Sequence, residues 1–112
     1  TFIKAYDTVL ADVDVLVMPT CITTAPKNHT PGTYLEALEE NLAAINSSGS
    51  RNTMPFNYTG HPALALPVGK SSAGLPVSMQ LVGRFLDDPL LMRTAYTYQQ
   101  AIDWDKIIGV YS

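Results

Sequence analysis

The residues that could do chemistry in this chain are few. They are the serines of "SSGS" (47–50), the stretch "FNYTGHP" (56–62) with its Asn, Thr and His, the carboxylate pairs Asp12/Asp14 and Asp87/Asp88, and the isolated Cys21 and Arg84. A serine nucleophile needs a base within hydrogen-bond reach and donors for the oxyanion. The serines at 47–50 have no candidate base nearby and follow an apolar-periodic segment, so they read as a helix C-cap. His61 could act as a general base, since imidazole titrates near neutrality. The plainer reading is a turn histidine between Gly60 and Pro62 whose ring hydrogen-bonds a neighbouring loop. His29, among prolines and threonines, reads as solvated. Asp12 and Asp14 flank a strand start, whereas Asp87 and Asp88 read as helix caps that favour its positive end. Cys21 follows a strand end with no histidine in view and reads as a small buried residue. Arg84 could bind an anion, although a surface ion pair is the commoner role. From chemistry alone, no catalytic set assembles.

The elements that must position these groups can be read from periodicity. Phe2, Ile3, Tyr6, Val9, Leu10 and Val13 recur at three and four, the stripe of a helix of about three turns. Residues 13–18, "VDVLVM", are β-branched and nearly continuous in apolar character, which predicts a strand buried on both faces and ended by Pro19. The next stretch, 19–32, holds four threonines and three prolines and reads as a loop. "TYLEALEENLAAIN" is a helix, with Thr33 and Glu36 as a capping box and Leu35, Leu38, Leu42 and Ile45 as its stripe. Residues 63–68 and 76–83 form two strands joined by the turn-forming "GKSSAGL". The last helix starts at Asp87 or Asp88 with Pro89 in its first turn, and Leu91, Ala95, Tyr98 and Ile102 share a face. The order helix, strand, helix, strand, strand, helix predicts an α/β fold layered around one mixed sheet.

Length and composition set further bounds. The 112 residues suit a single segment, and their 15% charged content is below the roughly 25% of ordinary soluble domains. So little charge predicts that part of the surface is covered by something else. With a net charge of −3 and scattered lysines and arginines, nucleic acid is not an expected partner. A lone cysteine and the lack of metal-ligand spacing point to a reducing, cytoplasmic setting with no metal. No apolar run is long enough to cross a bilayer, so no membrane partner is expected. The chain starts on Thr1, so either an initiator was removed or it begins inside a longer chain.

Four segments, "DVLVMPT", "PFNYTGHPALALPVG", "GLPVSMQLVGR" and "DDPLLMRTAYTYQQ", occur in the order in which they stand in the C-terminal part of the amidase signature family. The resemblance runs from about Phe2 to Trp104. "RNTMPFNYTGHPA" followed by "GRFLDDPLL" is most similar to bacterial and fungal amidases acting on small aliphatic or aryl amides, some coupled to nitrile breakdown.

The resemblance implies that residues 1–112 are one C-terminal portion of a larger amidase domain, whose large mixed β-sheet is flanked by helices. Such enzymes hydrolyse a carboxylic amide to acid and ammonia with no metal or organic cofactor. Their two serines and lysine lie upstream of the part represented here, so no catalytic residue is carried over. Ser47, Ser48, Ser71 and Ser72 match nothing in that set. The resemblance brings the loop before the second strand to the substrate pocket. Gly60 and Pro62 then shape the backbone there, and Phe56, Asn57, Tyr58, Thr59, Gly60 and His61 supply wall or orienting contacts. Alternatively, Asn57 and Thr59 only satisfy buried backbone groups. The expected partners are the remainder of an amidase chain and a small-molecule amide, with a homodimer as a further possibility. One rival function is a stand-alone interaction or scaffold domain of the same fold. Another is an autonomous hydrolase with His61 as base, which is weak because the adjoining loop offers no carboxylate to orient the imidazole.

Overall fold

The computed structural model describes residues 1–25, 32–47 and 49–108. His29 and the Ser48 part of the C-cap reading lie outside them. Helix α1 (Phe2–Asp12) starts at Thr1, whose hydroxyl accepts from the Lys4 amide. Strand β1 (Leu16–Pro19) follows, then helix α2 (Tyr34–Ser47) and the short helix α3 (Met54–Thr59). Strands β2 (Ala63–Lys70) and β3 (Pro76–Val82) form the hairpin, and helices α4 (Asp88–Ala101) and α5 (Trp104–Ile108) close the order. The α/β class is as expected; α3 and α5 were not foreseen.

The sheet runs β1-β3-β2, with both pairings antiparallel. The hairpin closes through Ser71. Its amide donates to the Leu75 carbonyl at 2.8 Å, its hydroxyl accepts from the Leu75 amide at 3.2 Å, and Gly74 takes the left-handed conformation at φ 77°. Serine in a turn does here what its side chain suits it to do. The ladder slips between Pro67 and Gly69, where a proline on an edge strand has no N–H to offer.

Residues paired in register share a face of the sheet. Leu64 and Val17 lie opposite Leu81, and Leu66 lies opposite Met79. This face meets α4: Leu66, Leu81, Leu91 and Ala95 form the core cluster, with Val15, Leu64, Met79 and Tyr98 packed on it. The α4 stripe is therefore as read for Leu91, Ala95 and Tyr98, whereas Ile102 is the extended residue that ends the helix, and the start of the helix differs in detail. Asp87 caps α4 without a side-chain hydrogen bond, and its carbonyl accepts from the Leu90 and Leu91 amides instead.

Other expected burial is not found. Strand β1 is shorter than 13–18 and alternates in exposure, with Val17 62% exposed. Its position at the sheet edge, with α4 packed over β2 and β3, leaves that side chain uncovered. Of the α1 stripe only Leu10 is buried; Phe2, Ile3, Val9 and Val13 are exposed. The capping box of α2 is present in both directions, with the Thr33 amide donating to Glu36 Oε2 at 3.0 Å and the Glu36 amide to Thr33 Oγ1 at 3.2 Å. Yet Leu35, Leu38 and Leu42 face solvent. Cys21 is exposed rather than buried.

Arg84 does more than the expected ion pair. Its Nε donates to the Leu10 carbonyl at 2.8 Å and its Nη2 to the Val13 carbonyl at 3.0 Å, with Asp14 Oδ1 at 3.6 Å. A cation thus meets the carbonyls at the C-terminal end of α1, where the helix dipole is negative. Just before it, Gly83 is buried, and a Cβ there would stand 3.1 Å from Leu91 Cδ2 and 3.3 Å from its Cγ. An added methyl would require the Leu91 side chain to give by a few tenths of an ångström. Gly83→Ala should therefore lower stability by about 1–3 kcal/mol, the usual cost of overpacking. Urea denaturation will read this as a lower midpoint at unchanged slope, and an unshifted midpoint would contradict the close fit.

Candidate functional site

The stretch 50–61 is built from its N-terminal turn upward. The amides of Thr53 and Met54 donate to the Ser50 carbonyl, as does the Thr53 hydroxyl at 3.2 Å. Asn52 fastens this turn to the sheet. Its side-chain amide donates to the Pro19 carbonyl at 2.7 Å, and its own carbonyl accepts from the buried Gln80 Nε2 at 2.9 Å. Pro55 then stands in the first turn of α3, and Gly60 ends the helix at φ 78°, donating its amide to the Phe56 carbonyl at 2.8 Å. The expected loop is a helix of six residues. Six residues are too few to show a 3.6-residue period. The available signal was proline just inside the start and glycine just past the end.

Helical geometry divides the six candidate residues. Phe56 and Thr59, three apart, point inward and are buried, as is His61; Asn57, Tyr58 and Gly60 are exposed. Tyr58 is 77% exposed, meeting Phe2 edge-on at 6.4 Å. Asn57 and Tyr58 line an open, mainly apolar groove of about 620 Å³ with Phe2, Arg51, Met54 and Pro55. Its polar groups are the Asn57 amide, the Arg51 guanidinium and the Tyr58 hydroxyl.

On the inner side His61 has no exposed side-chain area. Its Nδ1 lies 2.9 Å from Thr59 Oγ1 and its Nε2 3.3 Å from Asp7 Oδ1. Phe85 stacks on the ring at 4.2 Å and Tyr6 tilts against it at 5.8 Å, with Tyr6 also 5.1 Å from Phe56. The plain reading of His61 is thus the observed one, except that its partners are the end of α3 and helix α1. The carboxylate missing from the adjoining loop comes from Asp7, 54 positions away, which no local pattern could reveal. Carboxylate, imidazole and hydroxyl are connected as in a general-base set. Thr59 is only 4% exposed, so the hydroxyl that such a set would activate faces the interior.

The remaining candidates stay apart from this site. Cys21 lines a separate cavity of about 360 Å³ with residues of the 21–25 stretch and Pro76 to Ser78. Ser71 serves the hairpin turn, and Asp87 begins α4. Among the described residues no group of three or more His, Cys, Asp or Glu side chains could hold a metal ion. No helix among them is long and apolar enough to cross a membrane.

Comparison with known proteins adds to this geometry. The family model described as Amidase matches residues 1–92. The A subunit of glutamyl-tRNA(Gln) amidotransferase from Picosynechococcus sp. is 40% identical over 103 residues, covering 92% of this chain and 20% of the relative. The protein of the same description from Trichodesmium erythraeum is 40% identical over 107 residues, covering 95% and 20%. The solved structure of 6-aminohexanoate cyclic dimer hydrolase superposes with a TM-score of 0.71 at 29% identity, covering 91% of this chain and 21% of that one. The chain spans about a fifth of the length of the curated relatives it matches.

The two faces of α3 should differ in what they contribute to stability. Phe56→Ala is expected to cost about 3–5 kcal/mol as a buried aromatic, and Tyr58→Ala to stay within about 0.5 kcal/mol as an exposed one. Denaturation midpoints of the two variants check this, and equal losses would contradict the assignment of faces.

Proposed function

The chain belongs to the amidase signature family, and from that premise we propose that it forms the C-terminal part of an enzyme hydrolysing a carboxylic amide to acid and ammonia. In this reading the residues here are scaffold and one side of the substrate pocket. The reacting serines and lysine lie on chain N-terminal to Thr1. The single observation that supports a pocket role is the arrangement of α3: Phe56, Thr59 and His61 anchor the helix, and Asn57 and Tyr58 are turned outward into an apolar groove. In this reading Asn57 and Tyr58 supply the wall contacts, while Phe56, Thr59, Gly60 and His61 hold that wall in place. A small amide with an apolar acyl group fits such walls, the Asn57 side chain offering both a donor and an acceptor. The single thiol of Cys21, left free and exposed, suits a cytoplasmic enzyme.

A second reading is favoured by the relatives at 40% identity: part of an amidotransferase, in which ammonia freed from an amide passes to an acceptor. The two readings differ in whether a simple amide is turned over without any acceptor present.

Among the described residues neither reading finds a nucleophile paired with an accessible base. By themselves they should release no ammonia from a simple amide, whereas the intact protein should. In the intact protein Asn57→Ala and Tyr58→Ala should raise KM by about two- to tenfold, the worth of an ordinary hydrogen bond, with a smaller effect on kcat. Substrate profiles that are unchanged in both variants would remove the pocket role.

A further inference from the structure

Helix α1 packs on α3 through Tyr6 against Phe56 and Phe2 against Tyr58, and Asp7 reaches His61, two residues beyond the end of α3. A carboxylate only accepts, so the hydrogen between Asp7 Oδ1 and His61 Nε2 must sit on Nε2. In the neutral ring this leaves Nδ1 bare, and the Thr59 hydroxyl must then donate to it. The direction of the buried 2.9 Å bond at the end of α3 is therefore set from the far side of the ring. Without a carboxylate, the ring could equally carry its hydrogen on Nδ1. Thr59 would then have to accept and aim its own proton elsewhere, for example at the carbonyl four residues back. Thr8, Thr94 and Thr97 all donate in that way in their own helices. Thr59 is the last residue of α3 and directly follows Asn57 and Tyr58.

We infer that Asp7 is a positioning residue: it holds His61 in its Nε2–H tautomer, makes Thr59 the donor, and so fixes the C-terminal end of α3 beneath the face that carries Asn57 and Tyr58. The consequence for substrate rests on the pocket role assigned above to that face, whereas the tautomer does not. Asp7 itself is half exposed, with 51% of its side chain accessible, so replacing it opens no cavity.

The test uses the intact protein labelled with 15N-histidine, with the His61 signals identified by their loss in His61→Gln. NMR should show the Nε2–H tautomer in the unaltered protein and in Asp7→Asn, whose amide oxygen can still accept. Asp7→Ala should give a mixture of tautomers. The KM for a simple amide should rise about two- to tenfold in Asp7→Ala, the bias of one hydrogen bond, and Asp7→Asn should recover most of it. An Nδ1–H ring in the unaltered protein, or a single Nε2–H tautomer surviving in Asp7→Ala, overturns the inference. If the tautomer shifts as expected but KM is unmoved in Asp7→Ala while Asn57→Ala and Tyr58→Ala raise it, the positioning role falls. If KM is unmoved in all three, the pocket role falls and the tautomer control by Asp7 remains.

Discussion

Strand β3 has hydrogen-bonded neighbours on both sides, and its last residues, Gln80 to Val82, are buried. One face brings Leu81 and Met79 to α4. The other carries Gln80, and a buried amide without partners costs about 1–3 kcal/mol. Its bond to the Asn52 carbonyl meets that demand, and in doing so it dictates where residues 50–53 cross the sheet. Asn52 adds its own tie to the end of β1 through Pro19. The start of α3 is therefore positioned by the most enclosed strand of the sheet through the Gln80 side chain, and by β1 through the Asn52 side chain.

A helix of six residues has too few internal hydrogen bonds to persist by itself. Helix α3 persists because each end is held from outside. At its start stand the Ser50 turn and Asn52; at its end stand the left-handed Gly60, Pro62 and the His61 ring. Pro62 continues the hold, because its carbonyl accepts from the Gly83 amide at 3.1 Å and extends the β2 to β3 ladder. Gly83 is also the residue that admits Leu91. The same few positions thus set the spacing of α4 on one face and the exit of α3 on the other.

What could be read from the residues alone follows the range of the interactions involved. The capping box at Thr33 and Glu36, the Pro89 helix start, the Ser71 turn and the hairpin are local, and all were legible. Strand β1 is less buried than its pattern implies, because periodicity reports what a segment could bury and the cover over Val17 depends on neighbours that a strand pattern does not name. Helix α3 was missed because it is too short for a period, although Pro55 and Gly60 mark its ends. Asp7, Asn52 and Arg84 act on residues far along the chain, at separations of 54, 33 and 74 positions, and no spacing rule reaches that far. Of the six candidate site residues, all lie in one built structure, but which of them faces outward became clear only once the stretch proved helical.

The connectivity of Asp7, His61 and Thr59 raises the question of whether this set is chemical or structural, and burial decides it. A general base is useful only where the proton it removes belongs to a group that substrate can reach. Here the hydroxyl is enclosed, and the ring is covered by Phe85 and flanked by Tyr6. The same closure that excludes chemistry makes the Thr59–His61 bond effective as a brace, since hydrogen bonds shielded from water are stronger than exposed ones. The outward residues show the complementary condition: Asn57 and Tyr58 are reachable and carry no base. Within this stretch the imidazole and hydroxyl of His61 and Thr59 are locked in the interior while Asn57 and Tyr58 lie outside; under the function proposed above, the outward pair would bind substrate and bond cleavage would draw on groups outside the described residues.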